Sequence, residues 1–188
     1  VKPLSDHHRS ARPAAPRPRR RGVPRFAAAL GVVVLLAACA SQEVPQPCPQ
    51  LRLLKDTDRL VKFVGTGRDL TDVEYEAALR EPFLSCDYDD DAIESVLTVN
   101  LVALRGPADD DRVARITYFV AIVDNEDRVT KEEFEVEIPF EGNRTQVIAT
   151  EEVEQHIPLG PEETGNDYRV FVGLRLTPDE LRYNQENR

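Results

Sequence analysis

The segment Thr130 to Phe140, TKEEFEVEIPF, constrains the fold more than any other stretch of the chain. Phe134, Val136, Ile138 and Phe140 fall on one side of an extended backbone, and Glu133, Glu135 and Glu137 fall on the other. A helix turns about 100° per residue and would scatter these two sets around its axis. A strand has period two and sorts them into one buried and one solvated face. Such a strand needs hydrogen-bonded neighbours and a second layer to cover its apolar face.

The neighbours are legible. Ser95 to Leu104 and Val113 to Val123 carry Val, Ile and Leu on both faces, the pattern of central strands. Tyr168 to Leu176 alternates again, with Tyr168, Val170, Val172, Leu174 and Leu176 together. Thr145 to Thr150 and Val153 to Leu159 read as one strand broken by acids, and weaker strands are expected at Leu60 to Val64, Val73 to Leu79 and Phe83 to Tyr88. The connectors DYDDD, RGPADDD, DNED, EGN and GPEETGND are turn chemistry. No long amphipathic helix interrupts the strands, which argues against an α/β fold. The expected class is all-β, an antiparallel sandwich of seven or eight strands. An immunoglobulin-like arrangement is one form of it, and a lipocalin-like barrel is the alternative. One short helix is expected to close the chain, from Thr177 to about Gln185, as a lid on the last strand. Thr177 and Glu180 form a capping box, Pro178 takes the first helical position, and Leu176 and Leu181 occupy the positions of a hydrophobic staple.

A different pattern occupies the other end. Phe26 to Ala38 is uncharged and apolar, with Arg17, Arg19, Arg20, Arg21 and Arg25 upstream. A spanning helix needs about 20 such residues. A short apolar run after a basic flank is the layout of a secretory signal. A start at Val23 instead of Val1 would leave a compact VPRF flank. The run ends in Leu36-Ala37-Ala38-Cys39, which resembles the lipobox of bacterial lipoproteins. The resemblance covers the first 40 or so residues. It implies cleavage between Ala38 and Cys39, a diacylglyceryl thioether on the Cys39 sulfur and an acylated amine. One myristoyl-sized chain binds a bilayer marginally, whereas two or three hold it durably. Ala40 stands where lipoproteins retained at the inner membrane of many Gram-negative bacteria carry Asp, so the resemblance implies the outer membrane. The chain beyond the lipobox resembles envelope lipoproteins of Gram-negative bacteria, a resemblance that implies no activity. The organisation expected is a signal peptide over 1–38, a lipidated tether over 39–50 and a β-sandwich over 51–188.

The charge changes meaning once the signal is set apart. Eight of the 24 basic residues and one of the 34 acidic residues lie in 1–38, so 16 basic and 33 acidic residues follow, a net charge of −17. Such a domain repels nucleic acid and anionic headgroups and favours a basic partner or a divalent cation. With Cys39 lipidated, Cys48 and Cys86 remain as a pair in an oxidising compartment, and a disulfide between them is expected. A metal site or a nucleophilic thiol would need His or Cys at suitable spacing nearby.

Catalytic signals are sparse. His156 is the one histidine after the signal, because His7 and His8 precede it. With Val153, Gln155 and Ile157 on one face, His156 lies on the other. No GxSxG elbow accompanies it. A carboxylate pair for glycoside cleavage is not singled out among so many acids, and the chain has no Trp for sugar stacking. The triplet Asn143 to Thr145 matches a glycosylation acceptor and is read as coincidence in a bacterial lipoprotein. The acidic turns are the remaining candidates. Counted from Asp87, an EF-hand would place Gly at Ala92 and Glu at Thr98, so that motif fails. Two strands separate DYDDD from DNED, which puts both turns at one rim. There Asp87, Asp89, Asp91, Asp124 and Asp127 are candidate ligands for Ca²⁺, against a plainer reading as solvated turns, while Asp109 to Asp111 belong to the opposite end. The function expected is a non-enzymatic, lipid-anchored structural or protein-interaction module facing the periplasm, with an envelope protein as partner. The alternatives are a Ca²⁺- or ligand-binding module using the acidic rim and a periplasmic hydrolase with an unrecognised site.

Overall fold

The computed structural model describes residues 46–187. The segment expected to be a signal peptide, the expected cleavage point, Cys39 and the first part of the expected tether lie outside these residues. Eight strands are present: β1 (Gln50–Leu53), β2 (Arg59–Phe63), β3 (Val73–Tyr88), β4 (Ala92–Arg105), β5 (Val113–Val123), β6 (Val129–Pro139), β7 (Gln146–Pro158) and β8 (Arg169–Leu174). A single α-helix follows, α1 (Pro178–Glu186).

The strands form two four-stranded sheets, ordered β1-β8-β5-β6 and β2-β3-β4-β7, packed as a sandwich. The open sheets replace the barrel alternative. The strand order also differs from that of a constant-type immunoglobulin domain, whose sheets run A-B-E-D and C-F-G. Alternate residues of both sheets fill the core: Leu79, Leu97, Val99 and Leu101 from one, Ile116, Tyr118, Val170 and Val172 from the other. Tyr118 stacks on Phe134 with centroids 5.2 Å apart, and the apolar face of β6 turns to the core as its sequence predicts, with Ile138 and Phe140 buried and Phe134 and Val136 half-buried.

Several segments depart from expectation. The two weak strands over 73–88 are one 16-residue strand. Its register shifts between Arg80 and Phe83, where Glu81 takes a positive φ of 45°. A bulge absorbs the extra residue and lets β3 pass the Glu81-Pro82 break. The segment read as interrupted by acids is a continuous β7, because an edge strand solvates side chains that a central strand would bury. The last tether residues join the sandwich. Gln50 lies in β1, which pairs in parallel with β8 through Leu51↔Val170 and Leu53↔Val172, so the sandwich is not wholly antiparallel. Pro49 is buried, and Cys48 is disulfide-bonded to Cys86 of β3, with Cα atoms 5.9 Å apart.

Helix α1 has the expected cap. Glu180 N donates to Thr177 Oγ1 at 3.3 Å, and Thr177 N donates to Glu180 Oε2 at 2.8 Å. It covers β2 instead of the last strand, since β8 is flanked by β1 and β5 while β2 is an open edge. Phe63 meets Tyr183 edge-on at 5.1 Å, and buried Asn184 donates to the carbonyls of Asp56 and Arg59.

Candidate interaction surface

The two acidic turns do lie at one end of the sandwich. Strand β4 leaves the Asp89–Asp91 turn, β5 returns, and the Asp124–Arg128 turn follows. Their carboxylates are not gathered around a common point. Asp124 Oδ1 accepts from the backbone N–H groups of Glu126 and Arg128, both at 2.9 Å, and its Oδ2 accepts from Arg128 Nε at 2.6 Å. The Arg128 guanidinium holds the Asp124 carboxyl below its ordinary pKa. Asp127 accepts from Arg169 Nη2 at 2.8 Å. Asp87 stands opposite Glu94 on the outer face of the other sheet. Among the described residues no three His, Cys, Asp or Glu side chains come together to hold a metal ion. The third acidic turn is structural and sits at the far end: buried Asp109 pairs with Arg105 Nε and accepts from the Arg112 N–H at 2.9 Å.

Beside the Asp124–Arg128 turn, against the end of β7, lies an open cleft of about 320 Å³ bounded by Ile122, Asp124, Arg128, Thr130, His156 and Tyr168. His156 faces outward, as the alternation around it predicts, and its Nδ1 pairs with Glu94 Oε1 across the β4–β7 ladder. That hydrogen bond, followed by the charge of Glu94, raises the His156 pKa. Tyr168 donates to Pro158 O at 2.8 Å and to Glu163 Oε2 at 2.7 Å. The histidine is therefore held by a carboxylate on an exposed face, and among the described residues no Ser or Cys is hydrogen-bonded to it.

The feature that sequence patterning leaves invisible is the pair of open sheet edges. Among the described residues β6 and β7 each have one hydrogen-bonded neighbour, as do β1, which has four residues, and β2, which α1 covers. Phe140 N donates to Arg112 O at 2.8 Å and Asp124 N to Arg128 O at 3.2 Å, so the even-numbered residues of β6 face β5. The N–H and C=O groups of Lys131, Glu133, Glu135 and Glu137 then turn to the open side, because an antiparallel ladder alternates. On β7, Leu159 N donates to Asp91 O and Arg105 N to Thr145 O, both at 2.8 Å, so the odd-numbered residues face β4. The backbone groups of Ile148, Thr150, Glu152, Glu154 and His156 point outward, and their side chains are all exposed. Each edge ends on a proline at an outward-facing position, Pro139 and Pro158, where the missing N–H ends the row of donors.

The two edges differ in charge balance. On β6, Glu133 pairs with Lys131 and Arg175, and Glu137 pairs with Arg115. On β7, neither Glu152 nor Glu154 has an ion pair among the described residues. Their cross-strand neighbours are Thr98 and Val96. Ile148 is 60% exposed in the same strand.

Comparison with family models, curated proteins and solved structures finds no match in any of the three. The reading of this surface therefore rests on its own geometry. Only the register reveals it. Which residues of β7 face outward depends on pairing with β4, some 50 residues upstream, and that pairing has no local sequence signal.

Proposed function

We propose that this chain is a lipid-anchored module of the bacterial envelope that binds a partner protein through an open sheet edge, without catalysing a reaction. The observation that carries the reading is the pair of edges β6 and β7, which offer rows of outward backbone N–H and C=O groups flanked by acidic side chains. Such edges recruit an added strand by main-chain hydrogen bonds, with side chains giving selectivity. The anchoring part rests on the resemblance of Leu36 to Cys39 to a lipobox. In this reading Cys39 carries the lipid at the outer membrane, and the sandwich begins only a few residues later, at Pro47. The Cys48–Cys86 disulfide supports it, since disulfides persist in oxidising compartments.

Two measurements test it. Intact mass of the protein extracted from envelopes should show Cys39 as the first residue, carrying acyl and diacylglyceryl groups; an unmodified thiol still joined to Ala38 would end the anchoring claim. Photocrosslinking from positions on β6 and β7 in intact envelopes should capture one discrete protein; crosslinks to none would remove the partner.

A further inference from the structure

The β4–β7 register allows the occupant of one edge to be specified. We propose that β7 accepts an antiparallel strand from a basic partner, read in the order basic, polar, apolar at alternate positions. This rests on the interaction-module reading above and narrows it to one edge and one class of sequence.

The outer face of the β2-β3-β4-β7 sheet is built of cross-strand rows. Ala78, Val102 and Ile148 form one row, apolar from β3 to β7, with Arg59 of β2 at its far end. Arg80, Asn100 and Thr150 form the next, which is polar, and Thr150 Oγ1 donates to Asn100 Oδ1 at 2.8 Å. Phe83, Thr98 and Glu152 follow, then Ser85, Val96 and Glu154. Each row ends at β7, so a fifth strand would add one residue to every row. Side chains directly opposite one another are the unit of sheet stabilisation, and opposite charges are favoured there. The guest residues facing Glu154 and Glu152 should therefore be Lys or Arg, the one facing Thr150 polar, and the one facing Ile148 apolar. An antiparallel guest meets Glu154 first, which gives the motif basic-x-basic-x-polar-x-apolar.

Protection against aggregation also places charge on sheet edges. The β6 edge fits that role, with Lys131 among its acids and two glutamates paired to cations. The β7 edge shares the terminal proline but not the charge balance. Its two outward glutamates lack cations among the described residues, and Ile148 stands exposed along the same track. Unpaired acids beside an exposed aliphatic residue are the complement of a guest with two cations and one apolar side chain. The net charge of −17 after the signal also draws a basic segment in.

The test uses the full chain with its disulfide intact and three synthetic peptides: Thr-Lys-Thr-Lys-Thr-Thr-Thr-Val-Thr, the same peptide with Glu for both Lys, and the reversed sequence. Titration calorimetry should show binding of the first only, weakening as salt is raised. Hydrogen exchange resolved to single amides should slow at Ile148, Thr150, Glu152 and Glu154 and not at β6. Glu152→Lys with Glu154→Lys, both exposed and compatible with the fold, should weaken binding about fivefold or more. No binding by the first peptide would overturn the proposal, as would equal binding by the reversed peptide or protection confined to β6. If envelope photocrosslinks still capture a protein when this peptide fails, the β7 assignment falls while the interaction-module reading stands. Pairing of β7 with a second copy of the chain, seen as a dimer with the same four amides protected before peptide is added, would likewise overturn the basic-guest assignment.

Discussion

Tyr88 ties distant parts of the chain together through one oxygen. Its hydroxyl donates to Pro47 O at 2.6 Å and accepts from Gly165 N at 2.7 Å, two residues beyond disulfide-bonded Cys86. Gly165 is needed there, because a Cβ would land on the Pro47 carbonyl. Tyr88→Phe leaves a donor and an acceptor without their partner and should cost about 1–3 kcal/mol, measured by chemical denaturation with the disulfide intact. An unchanged midpoint would mean that water replaces both bonds. The His156–Glu94 pair gives a second expectation. Its folded pKa is raised above the ordinary 6.5, so the pair's stabilisation is full below that value and is lost as pH rises through the folded pKa. NMR titration should place His156 above 6.5, and Glu94→Gln should bring it back. Neither arrangement was legible in sequence. The outward direction of His156 followed from local alternation, but its partner lies 62 residues away, and only the ladder joins them.

Among the elements, β1 depends most on its attachment. It has four residues, pairs only with β8, and is held just upstream by the disulfide. The 38-residue separation between Cys48 and Cys86 is worth about 4 kcal/mol in the chain-entropy model. Cys48→Ala with Cys86→Ala should lower the unfolding free energy by an amount of that order and speed amide exchange in Leu51 and Leu53 before the core. Uniform exchange would place β1 within the global folding unit. Elements whose reasons are local were legible: the alternation of β6, the apolar runs of β4 and β5, and the Thr177–Glu180 cap. Those set by distant partners were not. QLRL, four residues directly after Pro49, is too short to give a strand signal, and nothing near α1 says that β2 is the strand it covers. The gap left between Leu79 and Phe83 closes only against β4, where the bulge accommodates Glu81 and Pro82.

At the scale of the molecule, the acidic excess works against compactness. Residues 39–188 carry −17 and repel one another, and added salt screens that repulsion over a Debye length of about 8–10 Å at physiological ionic strength. Melting temperature should rise by several degrees between low salt and about 0.3 M NaCl; a flat or falling curve would mean that pairs such as Lys62–Glu180 and Arg115–Asp111 outweigh the net repulsion. The two prolines that end the open strands have a consequence for growth. An intruding chain can zip along β7 only until it reaches Pro158, and along β6 only until Pro139. Each of the two edges thus closes at its proline, which makes the sandwich a poor seed for an endless ribbon. If a strand does dock there, the complexes should come in countable stoichiometries.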